Sequence, residues 1–167
     1  MENNRLDNYQ ELKDAIVEAL QSMPLRGAYI DEQRDLQPHV HEVINSVLNS
    51  RFGTQFGCIV SIGAGAPKPN IRMMGTSFWP DIEVCDGNVP VLGIELKFVN
   101  KDRRASSRIS ETLGQALIYK LRYPHVIAMI VHYGNYDLKL SDKDNEMKSL
   151  LKDFGIDLVL RRPSDPV

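Results

Sequence analysis

The stretch that most constrains this chain is FWPDIEVC-DGN-VPVLGIELKFV, residues 78–99. Two runs rich in alternating apolar and charged residues flank the turn signal DGN (86–88), which reads as a pair of neighbouring antiparallel strands. Side chains alternate faces along a strand. Ile82 and Val84 therefore share one face with Ile94, Leu96 and Phe98, while Asp81, Glu83, Glu95 and Lys97 share the other. Three carboxylates and an ammonium in the middle of a sheet are costly unless a proton or a cation relieves the repulsion. A hard divalent ion, Mg2+ or Mn2+, takes this kind of oxygen donor set. Lys97 lies close enough to orient or deprotonate a water, or to stabilise charge developing on a phosphoryl group. The rival reading is a solvated sheet face on which Glu95 and Lys97 form ordinary salt bridges.

Around this pair the sequence alternates helices and strands. Residues 8–22 and 38–51 have helical apolar spacing, the second with Pro38 in its first turn and Val40, Val43, Ile44, Val47 and Leu48 as one stripe. Residues 57–62 read as a strand, 63–77 as a Gly/Pro-rich loop, 78–85 and 90–99 as the central strands. A helix is expected over 108–122, capped by Ser106 or Ser107, with Ile109, Leu113, Leu117 and Leu121 buried. HVIAMIVHY (125–133) reads as a strand buried on both faces, followed by a helix over 142–154 and a strand over 156–161. The order α-α-β-β-β-α-β-α-β implies an α/β fold with a mixed central sheet flanked by helices. No repeat or linker divides it, so a single domain is expected: a helical extension over 1–37, a core over 38–132 and a C-terminal αβ unit over 133–167.

Composition narrows the setting. No apolar run approaches the roughly 20 residues that cross a bilayer, and the N-terminus is polar where a signal peptide is apolar. Cys58 and Cys85 lack metal-ligand spacing and sit in strand-like runs, so they read as core thiols of an intracellular, reducing, cytoplasmic setting. The net charge of −2 is not that of a purely electrostatic nucleic-acid binder. Yet Lys97, Lys101, Arg103, Arg104 and Arg108 face one acid, Asp102, a local charge of +4 in twelve residues at the start of a helix, where phosphates are favoured. Lys68 and Arg72 offer a second contact, although a solvated loop accounts for all these cations as well.

WPDIEV, thirteen residues between Asp81 and Glu95, and then GIELK resemble the PD-(D/E)xK nuclease superfamily, which includes restriction endonucleases, Holliday-junction resolvases and RecB-like exonucleases. Gln115 and Tyr119 in GQALIYK resemble the Q-x-x-x-Y element of RecB-like members. The resemblance covers element order over residues 38–132 and about ten identities. It implies a restriction-endonuclease-like core in which Asp81, Glu95 and the backbone carbonyl of Leu96 hold Mg2+ or Mn2+ and Lys97 is catalytic. Gln115 and Tyr119 would touch the nucleic-acid backbone or support the site; ordinary helix packing is their alternative. A further acid from the preceding helix is expected, with Glu42 as the candidate, although it lies roughly 170° from the apolar stripe. Glu32, Asp35, His39 and His41 are its rivals, and Glu83 shares the face of Asp81. The expectation is a metal-dependent nuclease, DNA favoured over RNA by resemblance alone, endonucleolytic because no extra module threads an end. A homodimer suits a two-fold symmetric duplex. The alternative is a nuclease-fold subunit that binds or assembles without cutting.

Overall fold

The computed structural model describes residues 2–25, 31–60, 71–100, 105–133 and 142–162. Helix α1 (Glu2–Ser22) leads to α2 (Gln37–Val47), which is flanked by π-helical turns at Glu32–Leu36 and Leu48–Phe52. Strands β1 (Phe56–Val60), β2 (Ile71–Met73), β3 (Thr76–Phe78), β4 (Ile82–Asp86) and β5 (Val89–Asn100) follow. The chain ends in α3 (Ala105–Tyr119), β6 (His125–Tyr133), α4 (Asp142–Asp153) and β7 (Ile156–Arg161). The fold is thus α/β, with a mixed five-stranded sheet in the order β1-β4-β5-β6-β7 and a separate β2–β3 hairpin. β1, β4 and β5 pair antiparallel, whereas β5, β6 and β7 are parallel.

The register Ile82↔Ile94 and Val84↔Leu92 puts the apolar residues of β4 and β5 on one face, where they join Ile127, Met129 and Val131 of β6 and the stripe Val40, Ile44 and Leu48 of the α2 region. Leu12, Ile16 and Leu20 of α1 complete that core. On the other face Ala116 and Tyr119 of α3 and Leu151 of α4 pack with Tyr123, Val126, Ala128 and Ile156. Polar ties reach across the layers. Buried Lys13 of α1 pairs with Asp157 of β7 at 2.9 Å, and the Arg161 guanidinium donates to the carbonyls of Leu20 and Gln21, in the open last turn of α1, and of Met23 just beyond it. Among the described residues no helix is long and apolar enough to cross a membrane.

Several local expectations need correction. The expected loop over 63–77 contains β2 and β3, strands of three residues each, too short for an alternation to register between glycines; residues 61–70 lie outside the described residues. The expected strand over 78–85 is broken, because Phe78 belongs to β3 and Trp79–Pro80–Asp81 turns the chain before β4 begins at Ile82. Helix α3 includes Ala105, so Ser106 and Ser107 lie inside it rather than at its N-terminal boundary. Its buried face also differs from the apolar stripe. Leu121, just past its end, is 70% exposed and Leu117 is exposed, while Thr112, Ala116 and Tyr119 are buried. The tyrosine turns inward because its hydroxyl finds buried acceptors, which outweighs the hydropathy of a leucine row.

Candidate active site

The site forms where β5 outruns β4. Pairing between the two strands runs only as far as Ile82↔Ile94, so among the described residues the β5 edge beyond Ile94 lacks a strand neighbour on that side. Unpaired backbone N–H groups need acceptors, and side chains supply them. The Leu96 N–H donates to Asp81 Oδ2 at 2.8 Å, and the Phe98 N–H donates to Glu32 Oε2 at 2.7 Å. Arg108 closes the edge from the other element, donating to the Phe98 carbonyl at 2.9 Å. The ladder is continued by two carboxylates and a guanidinium. In an extended residue the N–H and C=O point to the same edge, so the Leu96 carbonyl opens towards Asp81.

Asp81 is held from both ends. Its backbone carbonyl accepts from the amide of buried Gln37 at 2.7 Å, and the register of β4 and β5, continued by one residue, sets it opposite Glu95. Glu32 is presented by the π-helical turn that Asp31 caps, accepting from the N–H groups of Gln33 and Arg34 at 2.9 and 2.8 Å. Lys97 Nζ lies 3.4 Å from Glu32 Oε1, with its side chain only 15% exposed.

Glu95 is strongly perturbed. It is buried, and its carboxyl is pushed up to about 8, first by desolvation and then by the negative charge of Asp81. Glu32 pushes the same way, while the Tyr119 hydroxyl and the Lys97 ammonium oppose it. Tyr119, fully buried, donates its hydroxyl to Glu95 Oε2 at 2.9 Å and lies 2.8 Å from the Trp79 carbonyl. Burial and the Glu95 charge raise its own pKa strongly. One turn earlier, the Gln115 side-chain oxygen is buried and accepts no hydrogen bond among the described residues.

The structure therefore brings together Asp81, Glu95, Lys97 and Tyr119, and adds Glu32, Gln37 and Arg108. Among the described residues no three His, Cys, Asp or Glu side chains converge into a ready metal cage. The donor chemistry nonetheless fits a hard cation: two neighbouring carboxylates, one held protonated near neutral pH by its burial and then by the charge of the other, beside a carbonyl on an open strand edge. Glu42 is exposed on α2, and Glu32 is the N-terminal acid that reaches Lys97. Among its other rivals, Asp35 accepts the Asp31 N–H at 2.9 Å, His41 lies 3.0 Å from the Asn45 amide, and His39 is half-buried on α2. Glu83 faces Gly93, not Asp81's partner, and is bonded by the Tyr123 hydroxyl and, at 3.0 Å, by the Cys85 thiol. Burial pushes the Cys58 and Cys85 thiols up to about 12, as befits core cysteines. Arg72 is exposed on β2; Lys68, Lys101, Arg103 and Arg104 lie outside the described residues.

Sequence reasoning missed Gln37, and ranked Glu32 behind Glu42. The available signal was Asp31, a helix-capping residue just before Glu32, which fixes where that turn starts. No protein-family model, curated protein or solved structure matches the chain.

Proposed function

We propose that the chain is a metal-dependent phosphodiesterase acting on nucleic acid, built on a restriction-endonuclease-like core of the PD-(D/E)xK superfamily. The observation that carries this reading is the buried Glu95 carboxyl, held up to about 8 opposite Asp81 and beside Lys97 on the open edge of β5. A buried acid crowded by a second acid destabilises the fold unless a proton or cation serves it. Asp81, Glu95 and the Leu96 carbonyl would hold Mg2+ or Mn2+, which when bound supplies Lewis acidity at the scissile phosphoryl group and a more acidic water. Lys97, anchored by Glu32, orients the attacking water or neutralises charge on the phosphoryl oxygens. Tyr119 fixes the Glu95 rotamer, and Asp81 is fixed by the Leu96 N–H and by Gln37. DNA is the proposed substrate and endonucleolytic cutting the proposed mode, with a C2 pair of chains suited to cutting both strands of a duplex.

One observation favours a second reading. Asp81 and Glu32 each cap a β5 N–H, a structural task that alone would keep them in place in a subunit that binds without cutting. Nicking of supercoiled plasmid and of a branched DNA with Mg2+ or Mn2+, wild type beside Lys97→Ala, separates the two. Metal-dependent cleavage that disappears in the variant supports the nuclease. Binding of DNA with no cleavage by either protein supports the second reading.

A further inference from the structure

The β2–β3 hairpin carries features that no packing explains. Its two-residue loop, Met74–Gly75, lies between the pair Met73↔Thr76, with φ of 51° and 77°. Positive φ at both positions matches the tight type I′ turn, which favours Asn, Asp or Gly. A methionine there is strained by its Cβ, and Met74 is the one described non-glycine residue with positive φ. It is also 96% exposed, so among the described residues packing compensates neither the strain nor the apolar side chain. A conformational cost kept at a fully exposed position points to a partner.

The hairpin is not a loose tip. Ile71 and Phe78 pack against the α3-side core, and Arg72, paired with Ser77, points away from it. Phe78 runs straight into Trp79, the chain's single tryptophan and 44% exposed, and then to Pro80 and Asp81. The Tyr119 hydroxyl spans the Trp79 carbonyl and Glu95, so the hairpin base and the candidate metal site share one hydrogen-bonded anchor. Met74 is seven residues from Asp81, at most about 24 Å even fully extended, less than one ~34 Å turn of duplex. A single turn of duplex is therefore long enough to span the distance between them.

We infer that the hairpin is a wedge: Met74 inserts at a base step of a duplex whose phosphate is engaged by Arg72, while the scissile bond lies at Asp81 and Glu95. This rests on the nucleic-acid reading above and narrows its substrate. Apolar side chains, methionine among them, unstack base steps when presented rigidly to a duplex. Opening a step is easiest where stacking is already broken. The preferred substrate is therefore a duplex interrupted by a mismatch, bulge or branch rather than a continuous one.

The test uses duplexes carrying 2-aminopurine, whose emission rises on unstacking, bound to the full chain in the Lys97→Ala background so that the DNA stays intact. Three hairpin variants are compared: Met74→Asn, which suits the left-handed turn but removes the wedge, Met74→Leu, which keeps an apolar tip, and Arg72→Gln. Met74→Asn should melt no lower than its parent, lose the emission rise and bind the interrupted duplex about tenfold more weakly. Met74→Leu should retain most of both signals. Arg72→Gln should lower the salt dependence of binding by about one phosphate contact. Unchanged emission and affinity in Met74→Asn would overturn the wedge while leaving the nuclease reading intact, provided the wild type cuts. If the wild type neither binds nor cuts any duplex, both readings fall together.

Discussion

Two buried acids on the same face of the same sheet, each bonded by a tyrosine from α3 or the turn just after it, differ in what surrounds them. Glu83 meets the Tyr123 hydroxyl and the Cys85 thiol, and its strand partner is Gly93. The Tyr123 ring covers that glycine so closely that an added Cβ would lie 3.1 Å from Cδ2. Glu95 meets the Tyr119 hydroxyl, but its neighbours are Asp81, Glu32 and Lys97, at an edge where β4 has stopped. The first acid is enclosed by a partner set that satisfies it. The second is crowded by like charge beside an open backbone edge. Burial alone thus does not mark a site; unrelieved charge next to an opening does.

The largest expected effect breaks the pair apart by activity. Glu95→Gln or Lys97→Ala should lower metal-dependent cleavage by about a thousandfold or more, whereas Glu83→Gln should stay within about tenfold, read as initial nicking rates. Equal losses would erase the distinction. Next in size is Gly93→Ala, whose methyl meets the Tyr123 ring; chemical unfolding should show a loss of about 2 kcal/mol, mostly relieved in a Tyr123→Ala background. The tyrosines should also separate. Tyr119→Phe and Tyr123→Phe should each cost about 1 kcal/mol of stability, but only Tyr119→Phe should reduce cleavage, because it frees the Glu95 rotamer.

A further effect is in pH. The Glu95 carboxyl lies near 8 in the folded chain and at 4.5 in its ordinary state. A raised carboxyl contributes stability that is complete below the ordinary value and is lost as pH rises through the folded one. With chelator present, stability should therefore decline from about pH 5 to about pH 9, and Glu95→Gln should flatten that decline. A wild-type curve that is already flat would contradict a Glu95 carboxyl raised by burial and by Asp81.

The central strands, and Glu95 and Lys97 on one face of β5, were legible because alternation and a tight turn are local signals, whereas Asp81 lies in the turn before β4. What escaped depends on contacts distant in sequence. Glu32 reaches Phe98 and Lys97 across more than sixty residues, from a turn whose start only Asp31 announces. The leucine row of α3 read as the buried stripe, yet Leu117 and Leu121 face outward because the Tyr119 hydroxyl bonds Glu95 inside. β2 and β3 were hidden by their length, although Met74–Gly75 already held the turn.

The most direct test of the central claim is thermal unfolding during titration with Mn2+, wild type beside Asp81→Asn, Glu95→Gln and Glu83→Gln. At about a hundred times the dissociation constant, binding to the folded state alone adds about 2.7 kcal/mol, a rise of roughly 5–10 °C for a chain of this size. The account predicts that rise in the wild type and in Glu83→Gln, and none in Asp81→Asn or Glu95→Gln. A wild type that Mn2+ does not stabilise, or an Asp81→Asn variant stabilised as much, would contradict it.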